Sequence, residues 1–440
     1  MSEKRCVTIN PPKMCQPMGA IYAYLGVHAC VPLVHGSQGC ATYPRYNLCR
    51  HFREPAELAT SSLTEDAAVY GGRKNLIEAI RNVHARMHPE LIGVLTTCLS
   101  ETIGDDVKSI IRECEEELDG IPVITASTPS YVGTHLTGYD NALKSMLETL
   151  AAKGNPNGKI NIVTGMINPG DINEIKHILQ VMGVSGIFLT DVSQTMNSPI
   201  KFPKPHYPEG GTTLAEIGDA VNSLSTITLS AACGTASAKL LERKFNVPAA
   251  LGAMPIGVKN ADAFIQNIAR FTGKPIPAEL ERERGLLLDA LVDTHHYLYG
   301  KKAAIFGDPD MVAAIVRFCA EAGMKPSAAC TATPHPNFAP QIKAVADEYN
   351  CKIEILEGSD LFALQEVMKK EPVHVLLGNS KGKDLANDEN VPIVRVGFPV
   401  YDRVGAFRYP IIGYNGSIYL LDQIVNAILE HKYDQQKLHQ

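Results

Sequence analysis

The chain has 440 residues, enough for about three domains at roughly 150 residues each. Hydrophobic residues make up 45% and charged residues 20%, which excludes intrinsic disorder and predicts a large buried core. The net charge of −6 argues against nucleic acid or an anionic membrane as the main partner.

Residues 1–13 contain no apolar stretch of the kind a secretory signal needs. No apolar run approaches the ~20 residues that span a bilayer. A cytoplasmic protein with reduced thiols is expected. Short apolar runs that end in small or turn residues then recur at 91–97, 121–126, 159–165, 303–307, 374–378 and 392–397. Each reads as a buried parallel strand. Residues 75–83 carry Leu76, Ile77, Ile80 and Val83 at helical spacing. Asp140 reads as the N-cap of a helix with Leu143, Met146, Leu147 and Leu150 on one face. The alternation predicts the α/β class, with parallel sheets flanked by helices. Breaks at 153–159 and 299–302 divide the chain into three α/β units, 1–155, 156–300 and 301–440, the last ending in a C-terminal helix. Neither a GxxxxGK[ST] loop nor a GxGxxG after a strand occurs, so a nucleotide is not the expected ligand.

Cysteine is the informative residue. Eleven are present, at 6, 15, 30, 40, 49, 98, 114, 233, 319, 330 and 351, with no CxxC pair. An odd number in a long chain disfavours a disulfide scaffold. The missing pairs disfavour zinc ribbons and common ferredoxin spacings. Cys15 lies in PPKMCQPMG, Cys40 closes HGSQGC, and Cys98 directly follows the run 91–97. Ser130 follows the next strand-like run. Ligands of open parallel sheets bind beyond the carboxyl ends of strands. Three thiolates from separate segments therefore read as half of a soft-metal site. From spacing alone, small buried thiols are the alternative, and Cys233 in AACGTAS is the remaining cysteine of most interest.

The strings around these residues resemble the β subunit of nitrogenase component 1. The resemblance covers nearly the whole chain and rests on CQPMGA (15–20), VHGSQGC (34–40), RHFREP (50–55), SSLTEDAAVYGG (61–72), TTCLSETIGDD (96–106), TPSYVGTHLTGYDN (128–141), GKPIPAELERERG (273–285), FGDPD (306–310) and VGFPVYDR (396–403). It implies three Rossmann-like domains. It also implies that Cys15, Cys40 and Cys98 ligate one half of an [8Fe-7S] P-cluster, the α subunit supplying the other half. Ser130 matches a redox-responsive ligand, and Tyr43 matches a tyrosine between that cluster and the catalytic cofactor. Tyr70 matches a reductase-docking position that usually carries phenylalanine. Glu54, Asp289 and Asp293 match residues that bind a mononuclear metal, iron or calcium, between β subunits; a solvated acidic face is the alternative for the two aspartates.

The implied assembly is an α2β2 tetramer with an ATP-hydrolysing iron–sulfur reductase as electron donor and, in some relatives, a small δ subunit. No segment matches the α-subunit ligands of the substrate-reducing cofactor, so an electron-relaying oxidoreductase chain is expected. The lack of tryptophan and the presence of Pro44 and Tyr70 depart from the molybdenum-type pattern and leave the substrate open, while the compactness and the string TGMINPGD (164–171) look closer to vanadium, iron-only and archaeal-type chains. Two other functions remain open at this level: a nitrogenase-like reductase that cleaves carbon–sulfur bonds, such as methylthio-alkane reductase, and a cofactor-assembly scaffold.

Overall fold

The computed structural model describes residues 7–203 and 205–438, so Cys6 lies outside the described residues. Thirteen strands form three sheets among them, every pairing parallel. The first sheet contains β1 (Cys30–His35), β2 (Ala59–Thr60), β3 (Leu91–Thr96) and β4 (Val123–Ala126), in the order β2-β1-β3-β4. The second contains β5 (Ile160–Val163), β6 (Gly186–Leu189), β7 (Ser225–Thr228) and β8 (Ala249–Leu251), ordered β6-β5-β7-β8. The third contains β9 (Lys302–Phe306), β10 (Lys325–Thr331), β11 (Glu354–Glu357), β12 (Val375–Gly378) and β13 (Ile393–Arg395), ordered β11-β10-β9-β12-β13. In each sheet the chain leaves the first strand to one side and later crosses to the other. This makes a topological switch point, where doubly wound folds bind ligands.

Two compact units contain these sheets. Met14–Ile172 and Gly183–Gly252 form one, with the first and second sheets. Asn173–Met182, the chain from Ala253 onward and the segment ending at Lys13 form the other, with the third sheet. The helices Gly257–Thr272 and Ala278–Leu298 thus group with the third sheet, although the break near 300 had placed them with the second. The reason is packing: Ala278–Leu298 lies against the C-terminal helix Gly413–Leu438, a contact that composition does not report.

Apolar runs become strands here because both sheet faces are covered. β1 and β3 are buried at every residue. On one face Val31, Leu33, Ile92 and Val94 meet Leu76, Ile80 and Val83 of the helix Arg73–Met87. The helical stripe predicted over 75–83 is the central part of that helix. Toward the other face, α1 (Gln16–Leu25) is buried along its whole length and crosses the helix His135–Leu150 with the two backbones in contact. A Cβ on Gly19 would fall 1.7 Å from the His135 carbonyl oxygen, and one on Gly138 1.9 Å from that of Gln16. Only glycine permits this crossing, which holds the first turns of α1, capped by Cys15, against the first turns of the helix His135–Leu150.

One sequence expectation is corrected. Asp140 does not cap its own helix, which starts at His135 behind a Thr134–Thr137 capping box. Its buried carboxylate instead accepts the Ala236 and Ser237 N–H groups at 2.7 and 2.9 Å, capping the helix Thr235–Phe245. The residue type signalled a cap; the helix it serves lies 96 residues further along the chain.

Candidate functional site

The three cysteines begin three helices. Cys15 is the N-cap of α1, Cys40 lies in the first turn of α2 (Gln38–Phe52), and Cys98 opens α3 (Cys98–Ile103) directly after β3. Cys40 follows β1 and Cys98 follows β3, so both stand at the switch point of the first sheet. Helix N-termini carry partial positive charge that favours a thiolate over a thiol. Pro44, inside α2, has no N–H to give the Cys40 carbonyl, which loosens the first turn around that cysteine.

Short polar contacts hold the segments in register. Thr97 and Ser100 form a capping box on α3, and both hydroxyls donate to the His35 carbonyl, at 3.2 and 2.8 Å. Gly36 lies so close to Thr97 that a Cβ would meet its Oγ1 at 2.3 Å. The end of β4 is tied to the end of β3 by the Thr128 N–H on Thr96 Oγ1 (2.8 Å) and the Thr128 hydroxyl on the Thr96 carbonyl (2.6 Å). Glu101 accepts from Thr96 and Ser127, both at 2.6 Å. Met14 is pinned to the start of the helix His135–Leu150 by its N–H on His135 Nδ1 and its carbonyl on the His135 N–H.

This stitching brings Ser130 between two of the cysteines. Its N–H donates to Cys98 Sγ at 3.2 Å, and its Oγ accepts the Gln16 N–H, next to Cys15, at 3.2 Å. The Ser37 hydroxyl donates to Cys40 Sγ at 3.6 Å. Cys15 presents itself to solvent, yet protein packed around its remaining sides desolvates the thiol and pushes its pKa up. The nearby Cys40 and Cys98 push it further, and the Met18 N–H partly offsets this. Burial first, and the neighbouring thiols second, disfavour a free thiolate at Cys15, so a bound cation would be what holds its deprotonated form.

Of the other described cysteines, Cys49 and Cys351 are half-exposed and five are core. Cys30, Cys114, Cys233, Cys319 and Cys330 are buried, and burial pushes the Cys319 and Cys330 thiols up to about 12. Cys233 lies under Gly165, where a Cβ would come within 3.4 Å of its Sγ, so it fills the second sheet's switch point instead of opening onto it. By contrast Cys15 and Cys98 are exposed and Cys40 half-exposed. Tyr43 is 73% exposed on α2, and Tyr70, ending the short helix Glu65–Tyr70, is 87% exposed. Val69, Tyr46, Tyr131 and Val132 are exposed as well. Large apolar side chains beside open thiols mark a surface suited to another chain.

Sequence reasoning missed a buried trio beneath this surface. His35, at the end of β1, meets Ser61 Oγ at 2.9 Å through Nδ1 and Asp105 Oδ2 at 3.0 Å through Nε2. Asp105 also accepts the Gly72 N–H at 3.0 Å, two residues after Tyr70. Burial lowers the His35 pKa, and Asp105 partly restores it. The strings HGSQGC, SSLTEDAAVYGG and TIGDD hold these residues, but nothing in their spacing announces the pairing. Glu54 is half-buried in the loop after α2. Asp289 and Asp293 are both exposed on the helix Ala278–Leu298, which belongs to the other compact unit. Among the described residues no helix is long and apolar enough to cross a membrane.

Comparison with known proteins places these features in a family. A profile of nitrogenase component 1 type oxidoreductases matches residues 15–429. A nitrogenase molybdenum-iron protein beta chain of Methanococcus maripaludis is 47% identical, covering 99% of this chain and 97% of its own length. A nitrogenase vanadium-iron protein beta chain of Trichormus variabilis is 42% identical with the same coverage. In three dimensions, a chain of the solved structure "Nitrogenase Cp1 at pH 6.5" superposes with a TM-score of 0.94 at 41% identity, covering 98% of this chain and 95% of that one. These relatives favour the nitrogenase reading over the carbon–sulfur and scaffold alternatives. The chain is an oxidoreductase component and belongs to the nitrogenase component 1 type oxidoreductase family.

Proposed function

We propose that this chain is the β subunit of a dinitrogen-reducing α2β2 complex and that Cys15, Cys40 and Cys98 hold its half of an [8Fe-7S] cluster shared with the α subunit. The observation that carries this is the convergence of three thiols at helix starts, two of them at one switch point, with Ser130 bonded to Cys98 and to the residue after Cys15. The donor set fits the group, because iron–sulfur clusters take cysteine thiolates and are tuned by N–H donors to sulfur. When bound, such a cluster stores and passes single electrons.

The chain's own residues orient and protect. The Thr97–Ser100 box and the Thr96–Thr128 contacts hold the Cys98 turn, and the Gly19–Gly138 crossing holds Cys15. Ser130 Oγ, beside Cys98 and the residue after Cys15, would serve as a fourth, harder donor for an oxidised cluster. Tyr43 and Tyr70 are exposed aromatics; in this reading the first would lie between the cluster and the catalytic cofactor and the second would dock an ATP-hydrolysing iron–sulfur reductase. Glu54, Asp289 and Asp293 would contribute to a metal between β subunits. A δ subunit and a cytoplasmic location accompany this reading.

Replacing Cys98 with alanine should strip the purified complex of most of the shared cluster's iron and of its oxidised-state EPR signal, with the tetramer still assembled. Full iron content in that variant would refute the ligand assignment.

A further inference from the structure

One polar cluster stands apart from the cysteines. His177, Glu279 and Glu283 each offer a donor atom, and these atoms lie within 4.8 Å of one another. His177 comes from the helix Pro169–Val181, and the two glutamates come from Ala278–Leu298. All three belong to the same compact unit. Glu279 and Glu283 are spaced i, i+4, so they share a helix face, where two like charges repel unless something offsets them.

The second observation is the state of Glu283. The residue is 93% buried by its 7% exposure, and its Oε1 meets His177 Nε2 at 2.7 Å. Its other oxygen, Oε2, is buried with no hydrogen-bond partner. A buried carboxylate oxygen left unpaired forfeits hydration with nothing in return. Glu174, one turn before His177 and also buried, adds negative charge beside the pair while accepting the Asn415 side-chain N–H at 3.1 Å. Glu279, by contrast, is exposed and free to swing inward.

We infer that His177, Glu279 and Glu283 form a binding site for a divalent transition-metal cation. One imidazole and two carboxylates suit Zn²⁺ or Mn²⁺, which take such donors at about 2.0–2.2 Å. Tetrahedral donors at that distance stand about 3.4 Å apart, so a bound cation would open the 2.7 Å His177–Glu283 hydrogen bond and draw the exposed Glu279 inward. The cation would satisfy Glu283 Oε2 and relieve the repulsion along the helix. The site shares no residue with the cysteine cluster or with Glu54, Asp289 and Asp293, and it does not rest on the proposed function.

The test uses the purified native assembly, stripped of loosely bound metal by chelation and titrated with Mn²⁺, free Mn²⁺ being read by room-temperature EPR. One Mn²⁺ per chain should bind in a manner that survives Asp289→Asn. Glu283→Gln and, at the exposed position, Glu279→Gln should each weaken it by more than about tenfold, the lower scale for loss of even an outer-shell partner. Unchanged binding in both glutamate variants would overturn the inference, as would an unaltered assembly whose only Mn²⁺ binding disappears with Asp289→Asn. Because Glu279 is exposed, its variant keeps the test decisive if Glu283→Gln fails to fold.

Discussion

The first and third sheets are built alike, yet their switch points are finished in opposite ways. At β1/β3 the strand ends lead through Gly36 and Thr97 into helices that present Cys40 and Cys98 at the surface. At β9/β12 the last residue of β9, Phe306, turns its ring onto the last residue of β12: a Cβ on Gly378 would fall 2.3 Å from that ring, and one on Gly382 2.5 Å. Phe306 is 1% exposed, and the Arg395–Asp402 ion pair at 2.6 Å lies at the end of β13 nearby in sequence to this closure. The same contrast separates the cysteines. Cys330 in β10 is fully buried with its thiol on the Asp360 carbonyl, whereas Cys98 follows its strand into the open. A doubly wound sheet therefore supplies a crevice, and the side chains at two strand ends decide whether it becomes a site or a piece of core.

Breaking the closed switch point should have the largest effect. Phe306→Ala removes a buried ring from between two glycines and should cost about 3–5 kcal/mol, seen as a lower melting temperature without early loss of iron. Gly19→Ala attacks the support of the open one. Its Cβ has no room beside the His135 carbonyl, so about 1–3 kcal/mol or more is lost and Cys15 is displaced, lowering both stability and iron content. Asp105→Ala leaves His35 Nε2 and the Gly72 N–H without their acceptor, costing about 1–3 kcal/mol by thermal or denaturant unfolding.

The same trio carries a pH signature. Burial holds the folded His35 below its usual 6.5, so the unfolded chain takes up that proton first as pH falls. The stability due to neutral His35 is complete above 6.5 and is lost as pH drops from there through the folded value. Melting temperatures measured from pH 7.5 down to 5.0 should fall less steeply in His35→Gln than in the unaltered chain; equal slopes would remove His35 from the account. The smallest effect compares the cysteines directly. Cys330→Ala should cost about 1 kcal/mol and leave iron content untouched. Cys98→Ala should stay within about 0.5 kcal/mol as a fold and lose iron.

Much of this was written locally. Every apolar run predicted as a strand is one, because strands covered on both faces are continuous apolar stretches. β2, β6, β7, β8, β10 and β11 lie outside those runs, and so does β1. Its Pro32 argues against a central strand, but β2 pairs only with Leu33 and Val34, so Pro32 has no ladder partner on that side, and on the other it faces Gly93. The strings holding Cys15, Cys40, Cys98 and Ser130 were recognisable, and so was the family. The sequence by itself determined the α/β class, the parallel pairing and which segments carry thiols, since these follow from patterns a few residues long. Tertiary structure alone decided that Ser130 stands between Cys98 and Gln16, that Asp140 caps a distant helix, that His35 rests on Asp105 and that Glu283 faces His177. Those contacts join residues 32 to 114 positions apart, and no periodicity along a chain reports which distant segments the packing of its sheets will bring together.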